Sequence, residues 1–151
     1  MKPCITDKDG VLKIDDQLCF ALYSASRAIT KQYAFLLEDM GITYPQYLAL
    51  MVLWERDGLL IQEIAASMEL DSATTTPLIQ RLEKLDLVTR QRSQEDQRRV
   101  YVFLTPKGRK NFDKAIHIPH GLGCATGISP ETAHMLIDEM KKIKNFIAGN
   151  E

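Results

Sequence analysis

The sequence predicts a mainly α-helical fold with one small β-hairpin: a winged helix-turn-helix with N- and C-terminal dimerisation helices. Three observations predict it. A short polar helix is written over residues 71–85, from Asp71 through Thr74, Thr75, Thr76 and Pro77 to Arg81 and Leu85. Two β-rich runs follow it, Leu87 to Arg92 and Val100 to Leu104, the second alternating. Both ends of the chain carry long amphipathic stretches with apolar residues every three or four positions. A helix sized for a major groove beside a basic-tipped hairpin is a DNA-reading layout.

At 151 residues the chain is read as a single domain over 1–151. Residues 15–40 and 106–148 are mainly dimerisation helices, and 44–105 form the DNA-binding lobe. Net charge is −1. Between Asp71 and Arg109, eight lysines and arginines face five acidic residues, a surplus of +3 that leaves −4 for the rest. Such segregation suits a DNA-facing lobe on an acidic body. No run of eighteen apolar residues exists, so no membrane span is expected. The first residues lack the apolar stretch of a signal peptide, which points to the cytoplasm. There, Cys4, Cys19 and Cys124 do not make a disulfide framework; they are packing, metal ligands or reactive thiols. His117, His120 and His134 lack ligand spacing with them and read as scattered surface residues. No phosphate loop, nucleophile elbow or paired acid/base motif appears, so neither an enzyme nor a cofactor is expected.

In chain order, residues 1–14 read as a loose arm. Asp15 or Asp16 can cap a helix of about seven turns that carries Leu18, Cys19, Leu22, Ile29, Tyr33 and Leu37 and ends at Gly41. So long a helix cannot bury its whole stripe in a lobe of this size, and part of it is expected to face a second subunit. Thr43-Tyr44-Pro45-Gln46 fits a capping box with proline in the first turn of a central helix that stops near Asp57-Gly58. A third helix spans about Ile61 to Met68. Asp71 or Ser72 caps the fourth, whose inner face is Leu78, Ile79, Leu82 and Leu85. Thr105-Pro106 starts a fifth helix running to about Ile118, where Pro119 ends it. Residues 119–128 read as a Pro/Gly loop holding Cys124. Ser129-Pro130-Glu131 starts the last helix, with Met135, Leu136, Met140, Ile143, Phe146 and Ile147 on its stripe. Terminal helices that pair across a two-fold axis, each carrying a reading head, would match a pseudo-palindromic double-stranded operator.

The expected groove face is Ser72, Thr74, Thr76, Pro77 and Arg81, with Thr75 and Gln80 also outside. Hydroxyls reach bases or phosphates, threonine methyls suit thymine methyls, and Arg81 reads guanine or a phosphate. Arg98, oriented by Asp96, is assigned to the minor groove at the hairpin tip. Arg90, Arg92, Arg99 and Lys107 are assigned to phosphates. Cys19 is either a small buried hydrophobe or a thiolate. The helix start favours the anion and Asp15 and Asp16 oppose it, so a sensor thiol needs further donors, which tyrosine hydroxyls can supply.

Asp96-x-Arg98 followed by Val100-Tyr101-Val102-Phe103-Leu104-Thr105-x-x-Gly108 resembles the wing signature of the MarR family of transcription regulators. Within that family the chain resembles the organic hydroperoxide resistance regulators. The stretches that carry this are Leu18-Cys19-Phe20-x-Leu22-Tyr23, Thr30-Lys31-Gln32-Tyr33, Ile42 to Leu50, and Leu70-Asp71-Ser72-x-Thr74-x-Thr76-Pro77. The match spans roughly residues 15–147. The resemblance implies a homodimeric repressor induced by organic hydroperoxides, with Cys19 as the sensor. Tyr33 and Tyr44 match tyrosines that hydrogen-bond it, and Tyr23 matches another near the site. In a two-cysteine subgroup a loop cysteine forms an intersubunit disulfide with the sensor, and Cys124 sits where that partner is expected. Cys4 has no counterpart. Tyr33 lies 14 residues beyond Cys19, roughly 21 Å along a straight helix, so a Tyr33 that serves Cys19 comes from the partner. An apolar pocket built from Phe20, Leu22 and Phe35 would favour alkyl hydroperoxides. The rival reading is a MarR-type repressor released by a non-covalent small aromatic ligand. A thiol peroxidase or a protein-binding adaptor would leave the winged segment without a purpose.

Overall fold

The structure, a computed structural model, describes residues 13–149, so Cys4 and most of the expected N-terminal arm lie outside the described residues. A 3-10 turn at Ile14–Asp16 precedes α1 (Leu18–Leu36). Then come α2 (Tyr44–Glu55), the two-residue strand β1 (Leu59–Leu60), α3 (Ile61–Ser67) and α4 (Ser72–Lys84). The hairpin is β2 (Val88–Arg92) and β3 (Val100–Leu104). Helices α5 (Pro106–Lys110), α6 (Phe112–Ala115), α7 (Ile118–Thr126) and α8 (Pro130–Ala148) complete the chain.

The sheet is antiparallel in the order β1-β3-β2, with Leu59 opposite Val102 and Val88 opposite Leu104. Beneath it Leu50, Leu53, Ile64, Ile79, Leu82, Leu87 and Val102 form a closed core. Local chemistry sets the helix starts. Gln46 Oε1 accepts from Thr43 N–H at 2.8 Å, as the capping box requires. Leu60 has no capping oxygen, but Glu63 Oε2 reaches back to its N–H at 2.8 Å. Asp71 Oδ1 caps α4 through Thr74 N–H at 2.6 Å.

Several expectations are corrected. The first helix is not one run of seven turns: α1 ends at Leu36, and a 3-10 turn at Glu38–Met40 leads to Gly41, whose φ of 64° closes it. Gln17, not Asp15 or Asp16, occupies the N-cap, and both aspartates belong to the preceding 3-10 turn. β1 escapes notice because two residues carry no period. Leu85 is exposed, while Thr75, expected outside, is fully buried with its hydroxyl donating to Asp71 O at 2.9 Å.

The stretch 106–128 departs furthest from expectation. The fifth helix is broken into α5 and α6 at Asn111, and the expected Pro/Gly loop is the helix α7. Pro119 sits in the first turn of α7, where a missing N–H costs nothing. A Cβ on Gly121 would lie 2.8 Å from Leu36 Cδ2, so α7 lies close on α1 at this point.

Candidate functional site

The helix α4 presents Ser72, Thr74, Pro77 and Arg81 to solvent, with Thr76 half-buried. The Thr76 hydroxyl donates to Ser72 O at 2.6 Å, which leaves it only acceptor capacity outward. Pro77 has no N–H, so the Ala73 carbonyl one turn earlier loses its usual donor on the same helix.

The hairpin tip is a closed turn. Ser93 N–H donates to Arg99 O at 2.9 Å and Arg99 N–H to Asp96 O at 2.9 Å. Asp96 Oδ1 accepts from Arg98 N–H at 3.0 Å and from its Nε at 3.4 Å, while the Arg98 side chain is 92% exposed. Asp96 thus orients an arginine that remains free to contact a partner. Arg92 and Arg99 are also exposed, Arg99 lying 5.9 Å from the Tyr101 ring centroid. Arg90 differs from its neighbours. Glu83 takes its Nη2 at 2.7 Å, its Nε at 2.8 Å and its backbone N–H at 3.1 Å. That guanidinium is committed to joining β2 to α4. The Arg90 side-chain hydrogen bond, more than the burial opposing it, holds the Glu83 carboxyl below its ordinary value. Lys107 Nζ is likewise tied, to Leu85 O at 2.7 Å.

Below the reading head, Asp57 joins three elements. Its Oδ1 accepts from Gly58 N–H at 3.0 Å and Leu104 N–H at 2.8 Å, and its Oδ2 pairs with Arg109. Trp54 Nε1 donates to Gly108 O at 3.0 Å. Gly108 closes the wing motif because a Cβ there would lie 2.0 Å from Leu87 O. Sequence reading placed Asp57-Gly58 only as a helix stop and gave none of Asp57, Trp54 or Glu83 a role in holding the wing.

The two described thiols are exposed. Cys19 occupies the first turn of α1, and Cys124 lies in α7 with its Sγ 3.9 Å from His120 Nδ1. Tyr23, one turn after Cys19, accepts a hydrogen bond from Arg27 Nη1 at 2.8 Å. Tyr33 and Tyr44 meet with ring centroids 4.3 Å apart, and Tyr47 lies 5.9 Å from Tyr33. Burial, reinforced by the neighbouring Tyr44 and Tyr47, pushes the Tyr33 phenol up to about 12, and burial also raises Tyr44 and Tyr47.

Because α1 is unbroken from Leu18 to Leu36, Cys19 and Tyr33 of one chain stand roughly 21 Å apart. Gly121 packs at the Leu36 side chain, seventeen residues along α1 from Cys19, so the end of α1 that carries α7 is the one remote from Cys19. Phe20 and Phe35 are separated in the same way, so the expected Phe20, Leu22 and Phe35 pocket does not form within one chain. An apolar cleft of about 400 Å³ instead lies between α2 and α6, lined by Tyr47, Met51, Trp54, Phe112 and Ile116 with Glu55 at its edge. Among the described residues no His, Cys, Asp and Glu cluster could hold a metal ion, and no helix is long and apolar enough to cross a membrane.

Residues 31–115 match the family model described as "Transcriptional regulator SarA/Rot". The chain is 42% identical over 136 residues to the organic hydroperoxide resistance transcriptional regulator of Bacillus subtilis, covering 90% of this chain and 88% of that one. It is 42% identical over 140 residues to the HTH-type transcriptional regulator TtmR of Methylorubrum extorquens, covering 93% and 72%. Among solved structures it resembles AbfR of Staphylococcus epidermidis in its reduced, DNA-bound form, with a TM-score of 0.73, 31% identity and coverage of 89% and 94%. AbfR has also been solved overoxidised on DNA and in a disulfide form. These relatives are regulators rather than enzymes. The chain belongs to the MarR-type winged-helix family of transcriptional regulators, in the group that includes the organic hydroperoxide resistance regulators.

Proposed function

We propose that two copies of this chain form a repressor that releases a pseudo-palindromic operator when organic hydroperoxide oxidises Cys19. One observation carries the reading. The continuous α1 keeps Cys19 roughly 21 Å from Tyr33 of its own chain, and Tyr44 lies against Tyr33. A second copy brings them together. The residues of α1 and α8 support this, because neither helix has a fully buried residue and the apolar Leu18, Phe35, Leu136 and Ile147 are exposed.

In this reading the Tyr33 and Tyr44 hydroxyls of the partner subunit donate to the Cys19 thiolate, offsetting Asp15 and Asp16. The thiolate attacks the distal peroxide oxygen, which yields Cys19 sulfenic acid and an alcohol. The thiol of the partner's Cys124 then condenses with it, forming a disulfide and water. DNA binding falls to Ser72, Thr74, Thr76, Pro77 and Arg81 in the major groove and Arg98 in the minor groove. Arg92 and Arg99 contact phosphates. Arg90 supports the wing from behind, through Glu83, rather than reaching DNA with a free guanidinium. The oxidised forms of AbfR support a redox switch on this fold.

The test is binding of the reduced protein to its own upstream DNA, before and after cumene hydroperoxide and again after dithiothreitol. Wild type is expected to lose about 100-fold in affinity, equivalent to about 2.7 kcal/mol of coupling, and to regain it with dithiothreitol. Cys19→Ser is expected to hold its affinity throughout. The aromatic-lined cleft beside Trp54 favours a second reading, release by a non-covalent aromatic ligand. That reading gains if wild type ignores peroxide.

A further inference from the structure

We infer that His120 is the base that activates Cys124, so that the resolving step of the switch runs through a thiol–imidazole pair. The inference rests on the proposed redox reading and adds a residue to it. Its basis is that residues 118–126 are helical. A loop would leave His120 and Cys124 unrelated, whereas α7 puts them one turn apart on one face. Nδ1 and Sγ lie 3.9 Å apart, and both side chains are exposed. Among the described residues neither side chain has another hydrogen-bond or ion-pair partner.

The position of Cys124 calls for such a partner. It sits in the last turn of α7, which Gly127 closes in the left-handed conformation. Unpaired carbonyls there carry partial negative charge and oppose a thiolate. A cation one turn back counters them. The helix α7 packs on α1, whose ionisable groups are Cys19, Tyr23, Arg27, Lys31 and Tyr33. Arg27 is engaged by Tyr23. His117 occupies the N-cap position of α7, and His134 on α8 is turned onto Pro130 O at 2.7 Å. Among the described residues, His120 is the cation-forming group in contact with Sγ.

The step balances. Imidazole Nδ1 takes the Cys124 S–H proton, and the thiolate attacks the sulfur of the sulfenic acid on Cys19 of the partner subunit. The S–S bond forms as the S–O bond breaks, and the departing hydroxide takes the imidazolium proton to leave as water. Cys124 is oxidised and the sulfenic acid is reduced; the oxidising equivalents come from the hydroperoxide that made it. A fast resolving thiol competes with a second peroxide, which would carry Cys19 on to sulfinic acid.

The experiment uses Cys4→Ser, Cys19→Ser protein, in which Cys124 is the sole thiol, alkylated with iodoacetamide from pH 5.5 to 9.5. Adding His120→Asn is expected to slow alkylation about tenfold at pH 6 and less than twofold at pH 9.5. His117→Asn is expected to leave the profile unchanged. Superimposable profiles with and without His120, or an equal effect from His117→Asn, overturn the pair. A second arm oxidises Cys4→Ser protein with cumene hydroperoxide at pH 6.5. There His120→Asn should delay the disulfide-linked dimer about tenfold while Cys19 sulfinic acid accumulates by mass. If alkylation depends on His120 but no linked dimer forms in its presence, the pair stands and its resolving role is overturned together with the disulfide step above.

Discussion

The reading head and the terminal helices make opposite use of their apolar residues. Between α2 and β3, Leu50, Leu53, Ile64, Ile79, Leu82 and Val102 are sealed inside a single chain. The two longest helices, α1 and α8, have no fully buried residue, only Tyr33 and Leu36 at the end of α1 pack on the core, and Phe146 remains 75% exposed. The hydrophobic effect is satisfied locally in one region and left open in the other. The head is therefore complete as one copy, and the proposed dimer completes the rest.

Breaking the open region should have the largest effect. Leu136→Asp with Ile147→Asp places two charges on the α8 stripe. By sedimentation the dimer is expected to dissociate about a thousandfold more readily, a cost of about 4 kcal/mol. The head should keep its own fold, so far-UV circular dichroism changes little. A dimer that survives both charges would remove the contrast.

Breaking the closed region comes next. Gly108→Ala sets a methyl carbon 2.0 Å from Leu87 O, where backbone rather than a flexible side chain must move. Urea unfolding should show a loss of about 3 kcal/mol, with weakened DNA binding as the wing shifts. A loss below half of that would mean that the approach of α5 to β2 is softer than its geometry.

The smallest effects separate two arginines of the wing. Arg98→Ala is expected to weaken operator binding about tenfold at fixed salt, about 1.4 kcal/mol, without changing stability. Arg90→Ala should do the reverse, costing under about 1 kcal/mol because the pair is a third exposed. Its pH dependence follows from Glu83. Arg90 depresses that carboxyl from its ordinary 4.5, so the stabilisation is present above that value and fades as pH falls below it. Urea midpoints of wild type and Arg90→Ala should converge in that acid window. A gap that does not narrow at all as pH falls below 4.5 would show that Arg90 acts through packing rather than through its charge.

Much of this was legible in the sequence. The hairpin strands, the Asp71 cap, the Thr43 capping box and the Gly41 stop are fixed by local chemistry within a few residues. The segment 106–128 was not, because Pro119 both ends a helix and starts one, and Gly121 and Gly123 read as helix breakers until Leu36 explains the close approach. Thr75 and Arg90 misled for another reason. Residue type and position on the helix or hairpin suggested DNA, but Asp71 and Glu83 claim them first, and that competition exists only in three dimensions. The thiol site was partly legible. Spacing along α1 separates Cys19 from Tyr33, whereas the contact of Cys124 with His120 required knowing that α7 is a helix.

The crowding of Tyr33 against Tyr44 and Tyr47 has a consequence for what the switch ignores. A phenol that keeps its proton to about pH 12 remains an O–H donor at every acidity a living cell reaches. In the proposed dimer the Tyr33 donor facing the sensor sulfur is thus constant over the physiological range, so alkaline stress does not remove it.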